Sequence, residues 1–568
     1  MRLSADHLPR LGPPLTLALL TVPLAAGLAG TVLPAFGYLP ALGGTTLSLA
    51  PFHMLLAEPG IGQSALVSLA SGLGATIIAF VVVALFIASS SQARLARIAA
   101  MMGPLLALPH AAAAFGLAFL IAPSGYIARL VSPELTGWQS PPDLYLVNDA
   151  YGIALMLGLA AKEIPFLLLV ALAALPQVPV VASRQLAASL GYGVVAGGLM
   201  LIWPPLYRQM RLAVFAVLAF STSVVDVALI LGPQTPPVLG VRILDWFNDP
   251  DLAYRMVAAA GALLQLGVTL AAFAIWIGLE RGAAYLRNLW AGNGTRFRRD
   301  AALRAGSTSI MVGTALGLFA GLATLALWSV SKSWLFPDAW PRAVTFDGWM
   351  GASVRMAAPF STTLALGLAA SIIAVVLATL CLLREDETGA RSTFIARHGL
   401  AFIYLPLLVP QAAFLFGLQF LYVSLAVEGR FVTVLAAHLV FVLPYVFLSL
   451  SDPWRAYDRR YLAVGAALGH RPWTVFLRLR LPMLLRALLS ALALGFAISV
   501  AQYLPTVLAG AGRLTTITSE AVALASGGNR RIIGIYAMAQ AALPAFAFAV
   551  ASLVPAWLWR NRRGLSAR

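Results

Sequence analysis

The sequence predicts an all-α protein that crosses a membrane about twelve times, as two tandem parallel six-helix repeats. Three observations predict this fold: the apolar composition, the regular spacing of long apolar runs, and internal repetition. Of the 568 residues, 60% are hydrophobic and 10% are charged, whereas soluble globular proteins carry about 25% charged residues. The composition therefore excludes soluble enzymes, secreted scaffolds and disordered chains, and the single cysteine, Cys381, rules out an intrachain disulfide.

Apolar runs long enough to span a bilayer, about 20 residues in a helix, occur in both halves of the chain. In the first half we predict spans at Leu15–Phe36, Ala65–Ala88, Ile98–Ala122, Tyr151–Leu175, Leu212–Leu231 and Met256–Leu279. In the second half we predict spans at Ile310–Val330, Ser361–Leu383, Ala401–Leu425, Phe431–Leu450, Leu488–Leu508 and Ile532–Leu558. The first run could be a signal peptide, but its length and the six-plus-six pattern favour a retained span.

The distribution of basic residues predicts the orientation. The net charge is +17, and most of the 38 Lys and Arg residues lie in segments that are cytoplasmic when the N-terminus is inside. Cytoplasmic loops carry such an excess, so we predict that both termini lie in the cytoplasm. Because these residues lie in short loops between apolar runs, we expect membrane lipid and no nucleic acid as a partner.

The two halves repeat each other. Segment Leu108–Leu120 matches Val409–Leu421, and Ile164–Phe166 matches Leu443–Tyr445. Both copies point the same way because six spans separate them. Parallel repeats of this kind can form a translocation pathway between them; a structural bundle with no pathway is the alternative.

These features divide the chain into six segments. We predict a first helix with its outer loop, a first repeat unit, a cytoplasmic linker, a seventh helix with its outer loop, a second repeat unit and a cytoplasmic tail. Their boundaries are 1–60, 61–280, 281–307, 308–358, 359–560 and 561–568.

Two long inner loops, Pro176–Arg211 and Ser451–Arg486, have the same pattern. In each, a helix-compatible stretch ends at a glycine, and a proline stands 13 positions after that glycine. Glycine ends helices because it adopts positive φ at low cost, so we predict two short helices separated by a turn, suited to a cleft in a partner. The residues that define the pattern are Gln185, Ala187, Gly191, Pro204, Ala463, Gly465, Gly469 and Pro482.

These loops resemble the EAA loop of type I ABC importer permeases. The triplets at 185–187 and 463–465 stand where that motif has Glu-Ala-Ala, and neither has the Glu. The resemblance covers nearly the whole chain and implies two ABC ATPase subunits on the cytoplasmic side, a solute-binding protein outside, and a bacterial inner membrane. Fused double-length permeases for iron(III) and thiamine look most similar, and Leu108–Ala122 and Lys162–Pro165 look nearest the thiamine branch.

The chain has no site of its own for ATP. No G-x-x-x-x-G-K-[ST] motif is present, so we expect no cofactor in this chain and ATP use by the partner subunits. The alternative is a twelve-span secondary transporter driven by an ion gradient, which would use ionisable residues within the spans. Candidates for that role are His110, Lys162, Glu163, Asp226 and His438. No enzyme motif and no metal-ligating cluster is predicted.

Polar residues at matching positions of the two repeats are candidates for a shared pathway. The pairs are His110 with Gln411, Ser223 with Ser499, and Asp226 with Gln502, and Lys162 and Glu163 add two charges. Polar groups within spans are costly unless they face a bundle interior or a water-filled cavity. Hydrogen bonding between helices is the competing explanation, and the Lys162 stem could also reach an interface.

The predicted orientation is tested by cysteine labelling. In a Cys381→Ser background, Asn293→Cys should resist an impermeant maleimide in intact cells, because the linker is predicted to be cytoplasmic, and should react after lysis. Gln139→Cys, in a loop predicted to be outside, is the matched positive control. Ready labelling of Asn293→Cys in intact cells would reverse the orientation.

Overall fold

The computed structural model describes residues 8–388, 394–458 and 460–560, and these residues form helices almost throughout. The predicted tail, 561–568, lies outside the described residues. In the first half the helices are α1 (Leu8–Ala35), α2 (Ala50–Ala57), α3 (Ile61–Ser89), α4 (Gln92–Leu106), α5 (His110–Ile121), α6 (Tyr126–Val131), α7 (Ile153–Ala174), α8 (Val180–Ser189), α9 (Val194–Gly197), α10 (Trp203–Ser223), α11 (Asp226–Leu231), α12 (Leu239–Phe247) and α13 (Tyr254–Gly292).

The second half repeats this order. Its helices are α14 (Ala301–Val330), α15 (Asp347–Thr388), α16 (Phe394–Leu408), α17 (Gln411–Ser424), α18 (Phe431–Arg455), α19 (Arg460–Ala467), α20 (Pro472–Val475), α21 (Leu481–Ala501), α22 (Leu504–Gly510), α23 (Ile517–Ala523) and α24 (Arg530–Leu558). Two short antiparallel strands, β1 (Ser331–Ser333) and β2 (Ala343–Val344), form a hairpin after α14.

The prediction of an all-α polytopic membrane protein is confirmed, with fewer long spans than the twelve expected. Among the described residues, ten helices are long and apolar enough to cross a membrane, or eleven if the bent pair α16 and α17 forms one span. The run Leu212–Leu231 is divided, because α10 ends at Ser223 and α11 is separate. No single apolar helix therefore fills the run. The first part of α10 belongs to the basic loop, because it contains Arg208 and Arg211.

A proline divides the predicted third and ninth spans at equivalent places. The continuous helix predicted over Ile98–Ala122 is wrong, because α4 ends at Leu106 and α5 begins after Pro109. In the second repeat α16 and α17 meet at Pro410 with a bend of 99°. Proline has no N–H and disfavours helical backbone at the preceding residue, so each break follows from the matched prolines.

Helices enter the predicted linker, 281–307, from both sides. Helix α13 extends to Gly292 and α14 begins at Ala301, which leaves only Asn293–Asp300 outside the helices.

Helix α14 runs away from the first long loop and α15 returns to the second. Both long loops therefore lie at one end of the bundle, which we call the loop end, and the opposite end is the far end.

The first helix of each repeat packs on the other repeat. Helix α1 contacts α15 and α17, whereas α14 contacts α3 and α5. Both crossings bring glycines together: a Cβ on Gly30 would lie 2.5 Å from the Gly417 carbonyl oxygen, and one on Gly116 would lie 2.9 Å from the Gly321 carbonyl carbon. Thr31 adds a hydrogen bond, since its Oγ1 accepts from the Gly417 N–H at 3.0 Å. The two repeats therefore interlock through close backbone contact.

Filling the α1–α17 crossing should destabilise the protein. In Gly417→Ala the new methyl would lie 1.9 Å from the Gly27 carbonyl oxygen, so the helices must separate, and overpacking of this kind typically costs about 1–3 kcal/mol. We expect a lower unfolding midpoint in detergent, measured by tryptophan fluorescence. The control is Gly313→Ala on α14, where nothing lies within 4 Å of the added Cβ; equal midpoints for the two variants would contradict the interlock.

Candidate functional site

The two long loops share one backbone arrangement. In the first, α8 ends before Gly191 and α9 continues through a π-helical turn, Gly198–Ile202, into α10. In the second, α19 ends before Gly469 and α20 continues through the π-helical turn Phe476–Arg480 into α21. Both glycines have a φ of 76°, a region that residues with a Cβ rarely adopt. The predicted turn between two short helices is therefore present in both loops.

The short helices touch at the same place in both loops, with small residues on opposite sides. In the first loop a Cβ on Gly197 would lie 2.5 Å from the Ala187 Cβ. In the second loop the large residue is Val475, and a Cβ on Gly465 would lie 2.8 Å from its Cγ2. Ala187 corresponds to Gly465, and Gly197 to Val475, by the repeat register. The larger residue stands on the first short helix in one loop and on the second short helix in the other, and the two short helices are in close contact in both loops.

The remaining pattern residues lie at the surface or at the start of the following helix. Gln185 and Ala463 are exposed, and Pro204 and Pro482 stand at the first turn of α10 and α21, where a missing N–H costs little. Each loop also exposes large apolar side chains, which in the first are Val181, Leu186, Leu190 and Val194, and in the second Tyr461, Val464, Leu468 and Leu477. An exposed apolar patch indicates a surface that contacts another molecule.

The segment Asn293–Asp300 holds the first loop in place. The Asp300 carboxylate accepts from the Val195 N–H at 2.7 Å and is 4% exposed. It occupies the place of an N-cap for α9, a helix whose own preceding residue, Gly193, has no side chain to accept a hydrogen bond. Arg296 and Arg298 donate to the Leu190 and Gly191 carbonyls at 3.0 and 3.1 Å. The linker is therefore a strap across the first loop.

A buried arginine holds the second loop instead. Arg480 donates to the Asp386 carboxylate at 2.6 Å, and its guanidinium lies 3.8 Å from the ring centroid of Trp454. The Trp454 indole N–H donates to the same carboxylate oxygen at 3.0 Å. Ile202 stands at the position of Arg480 in the first repeat, so the two loops have the same shape but different ties.

The charged candidates of the first repeat gather beside the break between α4 and α5. His110 Nε2 lies 3.3 Å from Glu163 Oε1, and the His110 ring and the Asp226 carboxyl group are near each other. Lys162 is buried, and its Nζ donates to the Leu105 carbonyl at 2.7 Å. That carbonyl lies in the last turn of α4, where a cation is stabilised by the helix dipole. Lys162 therefore ties the two helices together and does not extend to an interface.

The matching positions of the second repeat have a different arrangement. Ser499 bonds His438 Nδ1 at 2.8 Å, and His438 Nε2 bonds Thr506 at 2.9 Å. Ser223 donates within its own helix, to the Ala219 carbonyl at 2.8 Å. These contacts are helix-to-helix and intrahelical bonds, and among the described residues no bond joins Ser223 to Ser499.

Gln411 and Gln502 stand at the ends of helices. Gln411 is the first residue of α17, directly after the break, as His110 is the first residue of α5. Gln502 is buried at the end of α21, and its carbonyl accepts from Thr506 at 2.8 Å. The second repeat thus presents neutral polar groups where the first presents His110 and Asp226.

The sequence pattern missed the groups that fix the loops. Asp300 is a lone acid in a basic linker, and Asp386 is one of three consecutive acids at 385–387. Both lie far along the chain from their partners, so no periodicity links them to a loop. The only sequence signal for these contacts was Asp300, an acid in a linker whose other charged residues are basic.

Comparison with known proteins defines the class to which this duplicated, two-loop membrane protein belongs. The chain is 32% identical over 524 residues to the inner membrane ABC transporter permease protein YnjC of Escherichia coli strain K12. The matched region covers 91% of this chain and 93% of YnjC. It therefore belongs to the inner membrane permeases of ABC transporters, as the loop resemblance indicated.

Shorter matches point to the same class. The chain is 28% identical over 193 residues to the putrescine transport system permease protein PotI of Escherichia coli strain K12, covering 32% of this chain and 66% of PotI. It is 32% identical over 113 residues to the molybdenum transport system permease protein ModB of Mycobacterium tuberculosis strain H37Rv. That match covers 18% of this chain and 43% of ModB. No protein-family model and no solved structure matches the chain.

Removing the charge of Asp300 should loosen the first loop alone. In Asp300→Asn the N-cap to Val195 and the ion pair to Arg304, at 3.0 Å, are weakened, and loss of a cap costs about 0.5–2 kcal/mol. We expect faster amide hydrogen exchange in Val194–Ile202 and none of this change in Pro472–Arg480. Asp338→Asn, which removes the exposed pair with Arg342 at the far end, is the control. Unchanged exchange in the first loop would show that the strap does not order it.

Proposed function

We propose that the chain is the translocation subunit of an ATP-driven importer, and that one ABC ATPase subunit docks on each long loop. The observation that carries this proposal is the repeated loop: two short helices, a glycine turn at Gly191 or Gly469, and an exposed apolar patch on each. Two equivalent patches at one end of the bundle suit a pair of similar subunits. The permease family of the chain supports the same assignment.

The loop end is then the cytoplasmic end, with both termini inside, in agreement with the excess of Lys and Arg there. We place the protein in a bacterial inner membrane, where the relative YnjC is named as residing. ATP would be bound and hydrolysed by the partner subunits, because this chain has no phosphate-binding loop. The far end would receive a solute-binding protein. The six segments predicted from the sequence stay a proposal, with 61–280 and 359–560 as the two permease units.

We place the pathway between the repeats, beside the two proline breaks. His110, Glu163 and Asp226 supply polar groups from the first repeat, and the Glu163 charge is near enough to act on Tyr445 of the second. Polar groups this deep in a bundle face its interior or a cavity. Gln411 and Gln502 would complete the lining from the second repeat. Lys162, Ser223 and Ser499 would act by holding helices, because their hydrogen bonds are already made.

A small solute delivered by the binding protein is the proposed substrate, and a thiamine-like or iron(III)-type solute is the best candidate. The support is the likeness of Leu108–Ala122 and Lys162–Pro165 to the thiamine branch of double-length permeases. Ligand assays on the binding protein that co-purifies with the chain would decide between the two solutes.

The docking role of the loops is tested by a double variant, Gly191→Val with Gly469→Val. A β-branched residue at positive φ costs of the order of 1–3 kcal/mol, so both turns should be misshapen while the spans remain inserted. We expect normal abundance in the membrane and loss of the ABC ATPase that co-purifies with the wild-type chain.

The matched control is Gly512→Val, at the far end. Gly512 has a φ of 73°, and, as at Gly469, nothing lies within 4 Å of an added Cβ. The control should retain the ATPase. If the double variant also retained it, the loops would not be the docking element.

A further inference from the structure

An open cavity of about 680 Å³ lies at the far end of the bundle, where α14 ends and α24 begins. Its lining combines aromatic, glycine and basic residues. The lining residues are Trp328, Ser331, Lys332, Trp334, Gly527, Gly528, Asn529, Arg530 and Arg531.

The cavity carries three cationic side chains, and in the described part of the chain none of them is in an ion pair with a carboxylate. Within the described parts of the chain, Lys332, Arg530 and Arg531 form no ion pair. Arg530 donates to the Ser124 carbonyl at 3.0 Å, and Arg531 donates to the Lys332 carbonyl at 2.6 Å. Neutral carbonyls thus hold both guanidinium groups in place and leave their charge uncompensated.

A second layer adds another arginine and an unused donor. Arg129 is buried behind the cavity and donates from Nε to the same Ser124 carbonyl at 3.1 Å. The guanidinium carbons of Arg129 and Arg530 lie 5.5 and 5.4 Å from the ring centroid of Trp328. The Trp328 indole N–H is buried and has no hydrogen-bond partner among the described residues, although buried donors are nearly always paired.

The start of α24 makes the excess of positive charge more costly. Arg530 and Arg531 are its first two residues, and no acid stands in its first turn, where the helix dipole disfavours cations. The equivalent helix of the first repeat, α13, also has an arginine, Arg255, and no acid in its first turn, but Asp249 and Asp251 precede it, and the Asp251 carboxylate accepts from the Ala253 N–H at 2.9 Å. No acid stands among the residues directly before α24, and local conflicts with the ordinary charge preference are expected at functional sites.

The neighbouring cavity of the first repeat is electrically balanced. It measures about 430 Å³ and contains Arg242, whose Nη2 lies 3.0 Å from a Glu58 carboxylate oxygen. Asp245 also lines it. Arg242 therefore has a carboxylate partner of a kind that the cations of the cavity at Arg530 do not have among the described residues.

We propose that this cavity binds the phosphate of an anionic phospholipid headgroup. Helices α14 and α24 are among the least enclosed spans, with 33% and 22% of their most apolar windows buried, so the cavity opens beside lipid at the ends of two peripheral helices. Tryptophans favour the headgroup level of a bilayer, and lysine and arginine clusters at that level attract anionic lipids. The phosphate oxygens would accept from Lys332, Arg530 and Arg531.

The test compares lipid retention by the full chain in bilayer discs of phosphatidylcholine with a minor share of phosphatidylglycerol. Native mass spectrometry would count the phosphatidylglycerol molecules that remain bound after extraction. The variant is Lys332→Gln with Arg531→Gln, which leaves Arg530 and its contact to Ser124 intact. We expect retention to fall by about tenfold or more, as for removal of two cations from an anionic headgroup.

The control variant is Arg513→Gln, a far-end arginine paired with Glu428 at 3.1 Å, which should keep wild-type retention. Equal retention by the double variant, an equal loss in the control, or no preference for phosphatidylglycerol over phosphatidylcholine would overturn the proposal. Full displacement of the bound lipid by inorganic phosphate at millimolar concentration would reassign the cavity to a free anion. Unchanged lipid retention with weaker capture of the solute-binding protein would reassign it to an acidic protein surface.

Discussion

Close backbone contact between helices is the constraint on which the rest of this structure depends. In a bilayer, two apolar helices gain little by exchanging lipid for each other, so small residues that permit close approach hold them together. Gly30 with Gly417, and Gly116 with Gly321, supply that contact at two equivalent crossings. Because α1 and α14 each lie on the other repeat, neither repeat is complete alone. The interlock therefore joins the two repeats into one bundle.

The proline breaks account for the most unexpected residue of the cluster, the buried Lys162. Pro109 stops α4 from continuing into α5, so the carbonyls in the last turn of α4 lack the regular α-helical donors. The Leu105 carbonyl accepts from the Leu108 N–H at 3.3 Å and also from Lys162 Nζ, so the lysine adds a second bond to a carbonyl at the break. Its charge is then engaged at the end of α4, while Glu163 remains beside His110. A buried charge is tolerated here because its partner is fixed by the backbone.

The two loops show how a duplicated element keeps its shape while its supports diverge. The glycine turns have the same φ, and the exchange of Ala187 and Gly197 for Gly465 and Val475 preserves the contact between short helices. Yet the first loop is tied by the strap through Asp300, and the second by a salt bridge to Asp386. The linker that joins the repeats contacts the first loop, and the second loop is held by residues of α15 and α18 instead. The two proposed docking surfaces are therefore alike in outline and held by different contacts.

The sequence by itself determined the fold class, the duplication and the loop pattern. Long apolar runs in lipid must pair their backbone groups internally and so favour helices, and a glycine turn followed by a proline at fixed spacing constrains the local backbone wherever the chain goes. The sequence also indicated which polar positions correspond in the two repeats. Correspondence did not mean proximity, since Ser499 bonds His438 and Ser223 bonds its own helix. Only the tertiary structure decided which helices cross and which acids tie the loops. Apolar faces are interchangeable in lipid, so hydrophobicity alone does not choose a partner; the fit of backbones at glycines, and hydrogen bonds between residues far apart in the chain, make that choice.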